Sequence, residues 1–440
     1  MARQMKDSGV EWIDEIPEEW EVARLKQVFN FGKGLPITKE DLVDKGIPVI
    51  SYGQIHAKSN TGVTVQQELI RYVPDVFRET NFDSFVSKND FILADTSEDL
   101  LGCGNCVFVD REMELFAGYH TIILRSTTTQ DNKYIAYLFL TDAWRSQIRS
   151  KVSGVKLFSI SRKILSEATV LVPPKDVQRR IAAFLDRRCA EIDAVIERTK
   201  ATIEEYKKLK QAVITEAVTK GVRGPRPMKD SGIEWIGEIP QGWELHKLKH
   251  IATILRGGSP RPIDAYLTDS PDGINWIKIG DTTKGYKYID CTKQKITPYG
   301  ATKSRTVHKG DLLLTNSMSF GEPYILNVDG CIHDGWVAFS DYHGVDIEYL
   351  YYFLSSSFCL LQFQKQVDGG VVQNLNIDKI ASTLMLLPLV DEQREIVSYL
   401  DEKCAALDSL INKKTALLTE LEAYKKSLIY EYVTGKKEVQ

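Results

Sequence analysis

The sequence contains no long apolar segment and few cysteines. Its most apolar stretch, residues 384–390, is short and contains Pro388, whereas a membrane-spanning helix needs about 20 apolar residues. The N-terminus, Met1-Ala-Arg-Gln-Met-Lys, lacks the apolar core of a secretory signal peptide. Seven cysteines, an odd number in a chain of 440 residues, are typical of reduced thiols rather than of a disulfide framework. We therefore expect a soluble, cytoplasmic protein.

The usual motifs of catalysis are also missing. No Gly-x-x-x-x-Gly-Lys-Ser/Thr phosphate loop occurs, so we do not expect this chain to hydrolyse ATP. Pro173-Pro174 lacks the preceding Asp or Asn and the following aromatic residue of an adenine methyltransferase motif. Cys103-x-x-Cys106 has no second ligand pair at the spacing of a zinc site, and the segment around His333-Asp334, residues 310–348, lacks the lysine of a metal nuclease. The sequence predicts neither a catalytic role nor a metal.

Composition leaves the kind of partner open. A chain of 440 residues exceeds one typical hydrophobic core, which predicts two to four domains. Hydrophobic residues at 43% and charged residues at 26% lie close to the globular average, so we expect the chain to fold. The formal net charge of −4 is weak evidence against a nucleic-acid partner, since DNA-binding proteins usually carry an overall or local positive field. Whether the chain binds nucleic acid therefore has to be judged from the local distribution of charge.

The chain contains an internal repeat. Residues 5–25 return as residues 228–248 at an offset of 223, and 14 of the 21 positions are identical. A second block, residues 178–219, returns as residues 393–434 at an offset of 215. The bodies between these blocks, roughly residues 24–171 and 247–387, resemble each other only faintly. Because similar repeated blocks enclose dissimilar bodies, we expect each half to recognise a different target. The alternative is a duplicated framework whose bodies diverged in sequence without a change of function.

The second repeated block has helical periodicity. Apolar residues recur at alternating spacings of four and three from Leu185 to Ala217 and from Leu400 to Tyr432, while lysines occupy the seam positions Lys210, Lys414 and Lys425. Each block follows a proline and contains none. Since an isolated helix of this kind would expose its apolar stripe to water, each predicted helix needs a partner. The nearest candidate is the other copy, and packing of each helix on its own body is the alternative.

Within each body the pattern predicts a mixture of strand and helix. Helical patterns cover residues 134–149 and 346–365. Short apolar segments predict buried strands at residues 47–52, 90–94, 119–124, 274–279, 311–315 and 336–339. The predicted fold class is therefore α+β.

Basic residues cluster in both bodies. Residues 276–309 contain eight basic and two acidic residues, interleaved with tyrosines. Residues 142–163 contain six basic residues and one acidic residue, Asp142. Basic side chains bind phosphate oxygens at any sequence, whereas nearby amides, hydroxyls and aromatic rings can reach base edges. We interpret these segments as DNA faces; for either cluster alone, a solvated surface is the alternative. The candidate DNA-binding residues are Tyr52, Gln54, His56, Lys58, Arg149, Lys151, Ser153, Lys156, Lys278, Thr282, Thr283, Lys284, Tyr286, Lys287, Lys303, Arg305, Gln373, Asn374 and Asn376.

Three segments in tandem resemble a known family. Residues 5–20 (Met-Lys-Asp-Ser-Gly-Val-Glu-Trp-Ile, then Ile-Pro-Glu-Glu-Trp), residues 152–160 (Val-Ser-Gly-Val-Lys-Leu-Phe-Ser-Ile) and residues 173–186 (Pro-Pro, then Gln-Arg-Arg-Ile-Ala-Ala-Phe-Leu-Asp) look like hallmarks of the specificity subunits of type I restriction-modification enzymes. Equivalents of the first and third recur in the second half, so the resemblance covers essentially the whole chain. The second-half loop, residues 367–377, departs from it by being one residue longer and more acidic than the first-half loop.

The resemblance implies an architecture with a pseudo-twofold internal repeat. Two α/β target-recognition domains, residues 1–172 and 223–386, are expected to be held apart by two long helices, residues 173–222 and 387–440, that form an antiparallel coiled coil. Each domain is expected to read one half of a bipartite site in double-stranded DNA.

The same resemblance implies partners. Two modification subunits, which bind S-adenosylmethionine and methylate adenine, and restriction subunits, which use ATP and Mg, are expected to carry the chemistry, with no cofactor in this chain and no membrane contact. The prediction is a non-catalytic DNA-specificity subunit. The alternatives are a self-contained DNA methyltransferase or nuclease, and a coiled-coil scaffold without DNA binding.

Overall fold

The chain divides into two units, each of which combines one body with parts of both repeated helical blocks. The computed structural model describes residues 4–127, 130–283, 285–316, 321–366 and 376–439. Unit 1 comprises Met1–Thr199 and Ala416–Gln440, and unit 2 comprises Lys200–Thr415.

The first half of the chain contains short strands and helices followed by one long helix. Its strands are β1 (Met5–Val10), β2 (Ile13–Pro17), β3 (Glu21–Arg24), β4 (Phe29–Lys33), β5 (Ile47–Ile50), β6 (Arg71–Val73), β7 (Phe85–Val86), β8 (Phe91–Ala94), β9 (Thr96–Ser97), β10 (Cys106–Phe108), β11 (Leu115–Ala117), β12 (Thr121–Ser126), β13 (Phe158–Ser159) and β14 (Thr169–Val172). Its helices are α1 (Leu25–Val28), α2 (Tyr52–Ile55), α3 (Phe77–Thr80), α4 (Asn132–Phe139), α5 (Asp142–Arg149), α6 (Arg162–Glu167) and α7 (Lys175–Lys220).

Two four-stranded sheets form the core of unit 1, with strand orders β10-β8-β12-β4 and β6-β5-β11-β7. Strand β8 reads Phe-Ile-Leu-Ala and is buried along its whole length, because it is covered on both faces. Phe91 and Leu93 pack with the side chains of α4, whereas Ile92 and Ala94 pack with those of β5 and β11. The continuous apolar sequence of β8 thus joins the helical layer to the second sheet.

The second half repeats this plan. Its strands are β15 (Met228–Asp230), β16 (Glu238–Pro240), β17 (Glu244–Lys247), β18 (Thr253–Arg256), β19 (Leu267–Thr268), β20 (Ile274–Ile277), β21 (Tyr288–Ile289), β22 (Gln294–Ile296), β23 (Arg305–Val307), β24 (Leu312–Thr315), β25 (Pro323–Leu326), β26 (Gly330–Ile332), β27 (Trp336–Ser340) and β28 (Leu384–Leu387). Its helices are α8 (Pro298–Ala301), α9 (Ile347–Ser355), α10 (Ser357–Gln366), α11 (Ile377–Ser382) and α12 (Val390–Val433).

The two bodies share one topology, although their sequences resemble each other only faintly. Unit 2 has β25-β24-β27-β18 where unit 1 has β10-β8-β12-β4, and β22-β20-β26-β23 where unit 1 has β6-β5-β11-β7. The pairs β5/β11 and β20/β26 are both parallel, whereas the other strand pairs within these shared sheets are antiparallel. Unit 2 adds β21 and β19 as edge strands. The bodies therefore differ in their side chains and loops rather than in their fold.

The two helical blocks pack against each other in antiparallel orientation within each unit. In unit 1 the Lys425 Nζ lies 2.6 Å from Asp193 Oδ1, and in unit 2 the Lys210 Nζ lies 2.7 Å from Asp408 Oδ2. The offset of 215 residues relates these two ion pairs, with the roles of α7 and α12 exchanged. Partly exposed pairs of this kind contribute about 1 kcal/mol or less, so they define register more than they stabilise. The predicted pairing of the helical blocks is confirmed.

Equivalent contacts dock each body on its helix pair. Tyr137 donates a hydrogen bond to Asp186 at 2.7 Å in unit 1, and Tyr352 donates one to Asp401 at 2.5 Å in unit 2. Tyr134 donates to the carbonyl oxygen of Val433 at 2.8 Å, and burial raises its pKa well above the usual range. The helices therefore contact their body as well as each other.

All six predicted strands occur, with ends shifted by one or two residues. The predicted helices at residues 134–149 and 346–365 are each two helices. The Thr141 hydroxyl accepts a hydrogen bond from the amide of Trp144 at 3.2 Å, and the Ser356 hydroxyl accepts one from Cys359 at 3.2 Å. These caps start a second helix within each segment whose amphipathic pattern predicts a single helix.

Candidate nucleic-acid interface

The parallel strands β5 and β11 end at the same edge of the second sheet of unit 1. The segments that follow them meet other loops there. We call residues 51–60, 82–84, 95–105, 118–120 and 152–161 the loop face of unit 1. Loops positioned by a rigid sheet are the usual carriers of binding residues.

Four predicted residues lie directly after β5. The Gln54 side chain accepts a hydrogen bond from the Ser51 amide at 3.1 Å and so caps α2. The ring of His56 contacts the carbonyl oxygen of Thr96 at 2.8 Å and the side-chain amide of Asn105 at 3.1 Å. Both side chains therefore position the backbone. Tyr52 is half-buried and Lys58 is exposed, so these two present surface to a ligand.

The second predicted cluster of unit 1 reaches the same face. Arg149 donates to Asp142 at 2.9 Å and to the Leu101 carbonyl at 2.7 Å, and its side chain is only 15% exposed. Lys151 lies 3.8 Å from Glu167, whereas Lys156 is exposed. The Arg149 side chain therefore connects the loop that contains Leu101 to the C-terminal end of α5.

Strand β9 brings the two predicted clusters of unit 1 together. Ser153 forms a β-bridge with Ser159, and Ser159 pairs with Thr96 of β9. Thr96 is also the residue whose carbonyl contacts His56. The loop of residues 152–161 and the turn after β5 are thus neighbours, although about 100 residues separate them in sequence.

Sequence reasoning missed an aromatic cluster on this face. The ring of Tyr52 lies 5.6 Å from that of Tyr119 and 5.4 Å from that of His120, measured between centroids. His120 has a φ of +55° and lies 3.2 Å from Asp95. The pattern predicts a strand from residue 119, but β12 begins at Thr121, so both rings belong to the turn. Phe82, 69% exposed, lies on the same face.

The corresponding edge of unit 2 follows the parallel strands β20 and β26. We call residues 256–266, 278–283, 299–305 and 333–335 the loop face of unit 2. Lys278 lies at the end of β20, and its Nζ donates to Gln294 at 2.7 Å. Thr282 donates to the Ile279 carbonyl at 2.8 Å, and Thr283 is exposed. The prediction for Lys284 lies outside the described residues.

Lys303 and Arg305 are exposed at the start of β23. The Lys303 Nζ lies 2.6 Å from the Tyr266 hydroxyl, and 4.5 Å from the ring centroid of Tyr299. The hydrogen bond to Tyr266 raises the pKa of Lys303. Arg305 donates to the carbonyl oxygen of Arg256 at 3.4 Å. Both predicted cations therefore belong to the loop face of unit 2.

Two neighbours in the same predicted cluster lie elsewhere. The Lys287 Nζ is 2.6 Å from Glu348 and 2.7 Å from Asp401, and its side chain is only 14% exposed. Tyr286 is exposed, and a hydrogen bond to Asp290 raises its pKa. Lys287 lies close in sequence to the other basic residues, but in the fold its ammonium group pairs with carboxylates of α9 and α12.

The remaining predictions concern the second-half loop. Gln373 and Asn374 lie outside the described residues. Asn376 accepts a hydrogen bond from the Lys379 amide at 2.9 Å and caps α11. Its side-chain oxygen is therefore engaged in the helix cap.

Sequence reasoning also missed the loop that follows β18. Ser259 donates a hydrogen bond to Asp334 at 2.7 Å, and Arg261 lies 3.4 Å from the same carboxylate. The Ser259 hydrogen bond lowers the pKa of Asp334, whereas burial lowers that of His333. The sequence contains a signal for this loop, because two arginines flank the turn-forming residues Gly-Gly-Ser-Pro at the end of a strand, in Arg256-Gly-Gly-Ser-Pro-Arg261.

The described parts of the chain contain no group of three or more His, Cys, Asp or Glu residues arranged to hold a metal ion. Cys103 and Cys106 are buried, and burial raises the pKa of Cys106 to about 12. A reactive cysteine needs the opposite shift. Across the same residues, no helix has both the length and the apolar character to span a membrane.

A family model described as the type I restriction modification DNA specificity domain matches residues 17–205 and 240–422. The type I restriction enzyme MjaVIII specificity subunit of Methanocaldococcus jannaschii is 23% identical over 96% of this chain and 93% of its own length. The EcoKI specificity subunit of Escherichia coli is 22% identical over 96% and 90% of the two chains.

One solved structure is similar over nearly the whole chain. It is described as showing complex assembly and conformational transition of the type I R-M system, and it has a TM-score of 0.71 with 17% identity. The alignment covers 96% of this chain and 99% of that one. At this identity the likeness establishes the fold alone.

Proposed function

Because this chain belongs to the type I restriction modification DNA specificity family, we propose that units 1 and 2 each read one half of a bipartite DNA site. The chain is the DNA-recognition subunit of a type I restriction-modification system and works in a complex with other subunits and DNA. A self-contained methyltransferase or nuclease, and a scaffold without DNA binding, receive no support from these relatives.

One observation carries the two-reader proposal. The two bodies have the same strand order, so the same edge of each sheet presents loops to a ligand. The side chains at equivalent positions differ: Phe82 and Tyr119 in unit 1 stand where unit 2 has Lys303 and Asp334. A common framework with different side chains at one edge is what two readers of different sequences require, because base readout depends on side-chain identity and loop geometry.

The residue assignments rest on the side chains that are exposed or half-buried on the loop faces. We assign DNA contact to Tyr52, Lys58 and Lys156 in unit 1, and to Thr283, Lys303 and Arg305 in unit 2. Gln54, His56 and Arg149 support the loops of unit 1 through backbone contacts or caps, whereas Asn376 caps α11 outside the loop face of unit 2. Lys287 supports the docking of the body on α9 and α12.

The remaining roles are proposed for the partners. This chain is non-catalytic; two modification subunits bind S-adenosylmethionine and methylate adenine, and restriction subunits use ATP and Mg to cleave DNA. The assembly acts in the cytoplasm, where the DNA to be modified or cleaved lies.

Reconstitution tests this proposal. The purified chain should bind DNA but neither methylate nor cleave it, and adding modification subunits should produce methylated adenines at one bipartite motif, read by sequencing the modified DNA. Methylation or cleavage by the chain alone would contradict the non-catalytic role. A continuous motif without a spacer would contradict the two-reader proposal.

A further inference from the structure

Four cations lie on adjoining segments of the loop face of unit 2. Arg256 donates to the carbonyl oxygen of Asp334 at 3.4 Å, and Arg261 lies 3.4 Å from its carboxylate. Lys303 and Arg305 lie on the neighbouring segment, where Arg305 donates to the Arg256 carbonyl. We call Arg256, Arg261, Lys303 and Arg305 the cationic cluster. All four are exposed, and the Arg261 side chain is 80% exposed.

Hydrogen bonds fix the two loops that carry this cluster. Ser259 donates to Asp334, and Ser304 donates to the carbonyl oxygens of Gly258 at 2.7 Å and Ile332 at 3.1 Å. A Cβ on Gly257 would lie 2.0 Å from the carbonyl oxygen of His333, so this close approach requires glycine. Ordered loops reduce the entropy lost when the cations bind a ligand.

At two positions of this cluster unit 1 carries side chains of a different kind. Strand β7 pairs with β11 as β23 pairs with β26, and this register places Phe82 where unit 2 has Lys303, and Ser84 where it has Arg305. Tyr119 occupies the position of Asp334 at the offset of 215. Unit 1 thus presents the exposed ring of Phe82 and the half-buried ring of Tyr119 at this edge, and it keeps a cation, Lys33, where unit 2 has Arg256.

From this contrast we infer that the cationic cluster of unit 2 binds the phosphate backbone of the DNA, whereas Phe82 and Tyr119 of unit 1 contact bases, and the phosphate contacts of unit 1 come from Lys58 and Lys156 elsewhere on its loop face. The inference rests on the proposed function and deepens it. Cations that neutralise phosphates release counterions, which makes binding depend on salt, whereas aromatic contacts to bases do not. At these equivalent positions the two units are therefore expected to bind DNA through different interactions.

Salt dependence of DNA binding tests this inference on the full chain assembled with its modification subunits. The probe is a duplex that carries the motif identified by adenine methylation. Arg261→Ala with Arg305→Ala should lower the slope of log affinity against log salt by about two units, at about 0.9 per lost contact. Between 50 and 200 mM salt, the variant should therefore lose about tenfold less affinity than the parent chain.

Matched variants separate the cluster from general loss of charge. Lys249→Ala with Lys309→Ala removes two exposed lysines outside the loop face, and the slope should not change. Phe82→Ala with Tyr119→Ala should weaken binding while leaving the slope at its parental value. Equal slopes for the parent and the double arginine variant would overturn the inference, as would a fall in slope for the aromatic variant.

Two further outcomes identify which proposal fails. If the parent assembly shows no preference for any DNA sequence, the proposed function fails before the cluster is tested. If the double arginine variant binds DNA normally but no longer assembles with the modification subunits, the cluster contacts protein and the inference is wrong. Neutral methylphosphonate linkages placed over one half-site at a time should weaken binding more on the side read by unit 2.

Discussion

At the position where unit 2 carries Lys303, unit 1 carries Phe82, and where unit 2 carries Asp334, unit 1 carries Tyr119. In contrast, Tyr137 and Tyr352 donate equivalent hydrogen bonds, to Asp186 and Asp401, which occupy equivalent positions of the repeated helices. The two units thus share this tyrosine–aspartate contact between body and helix, whereas these loop positions differ. Divergence costs little at exposed loops, since they carry few of the packing contacts that stabilise the unit.

The shared frame can be broken at one residue in each unit. Trp20 and Trp243 are equivalent and fully buried, so replacing either by alanine should cost about 3–5 kcal/mol. Trp20→Ala should lower the stability of unit 1 and Trp243→Ala that of unit 2, as measured by hydrogen exchange resolved for each unit. Trp235→Ala is the control, because this ring is half-exposed and its loss should cost far less. A large effect confined to one unit for both core variants would show that the frames are not equivalent.

A charge exchange distinguishes the two body–helix contacts. In unit 1 Lys133 of α4 lies 3.3 Å from Asp186; in unit 2 the equivalent residue is Glu348, and Lys287 bridges it to Asp401. Lys287→Met should destabilise unit 2 by roughly 1–2 kcal/mol, because two partly hydrated carboxylates lose their counter-charge.

Adding Glu348→Lys to Lys287→Met rebuilds the arrangement of unit 1 and should recover most of the lost stability in urea unfolding. Glu348→Lys alone places two lysines near Asp401 and should not stabilise the unit. If the double variant is as unstable as Lys287→Met, then Lys287 acts through packing rather than through its charge.

Some of this architecture could be predicted from sequence because it repeats or has a regular period. The seam lysines Lys210 and Lys425 mark the paired helices, and both form the ion pairs that a seam position favours. The common topology of the bodies could not be predicted, since short buried strands such as β8 and β24 share only apolar character. Apolar character alone fixes neither pairing nor order.

The loop faces were only partly predictable for a related reason. Arg305 donates to the carbonyl oxygen of Arg256, which is 49 residues away in sequence and outside the basic segment. Lys287 lies inside that segment, yet its charge is neutralised by α9 and α12. Charge counted along the chain cannot separate these cases, because strand pairing decides which lysines meet.

A smaller effect should distinguish the units by pH. Burial lowers the pKa of His333, against an opposing effect of Asp334 and with a further lowering by Lys278. The unfolded chain then binds a proton more readily, so this residue should destabilise unit 2 as pH falls below about 6.5, the ordinary value. Unit 1 has Gly118 at the equivalent position and gains no such dependence.

Thermal unfolding of the chain and of His333→Gln between pH 5 and 7.5 measures this contribution. The parent should lose more stability than the variant as pH falls, and the two should run parallel above pH 7. An identical pH dependence for both proteins would mean that His333 titrates alike in the folded and unfolded states.

Exchange of one body determines whether the two units read separate halves of one site. Residues 247–387 are replaced by the corresponding body of a relative, and methylated adenines are sequenced in DNA treated with the reconstituted methyltransferase. We expect a motif in which one half changes and the other is retained, with the reciprocal result when residues 24–171 are exchanged. A motif in which both halves change together would contradict independent reading by the two units.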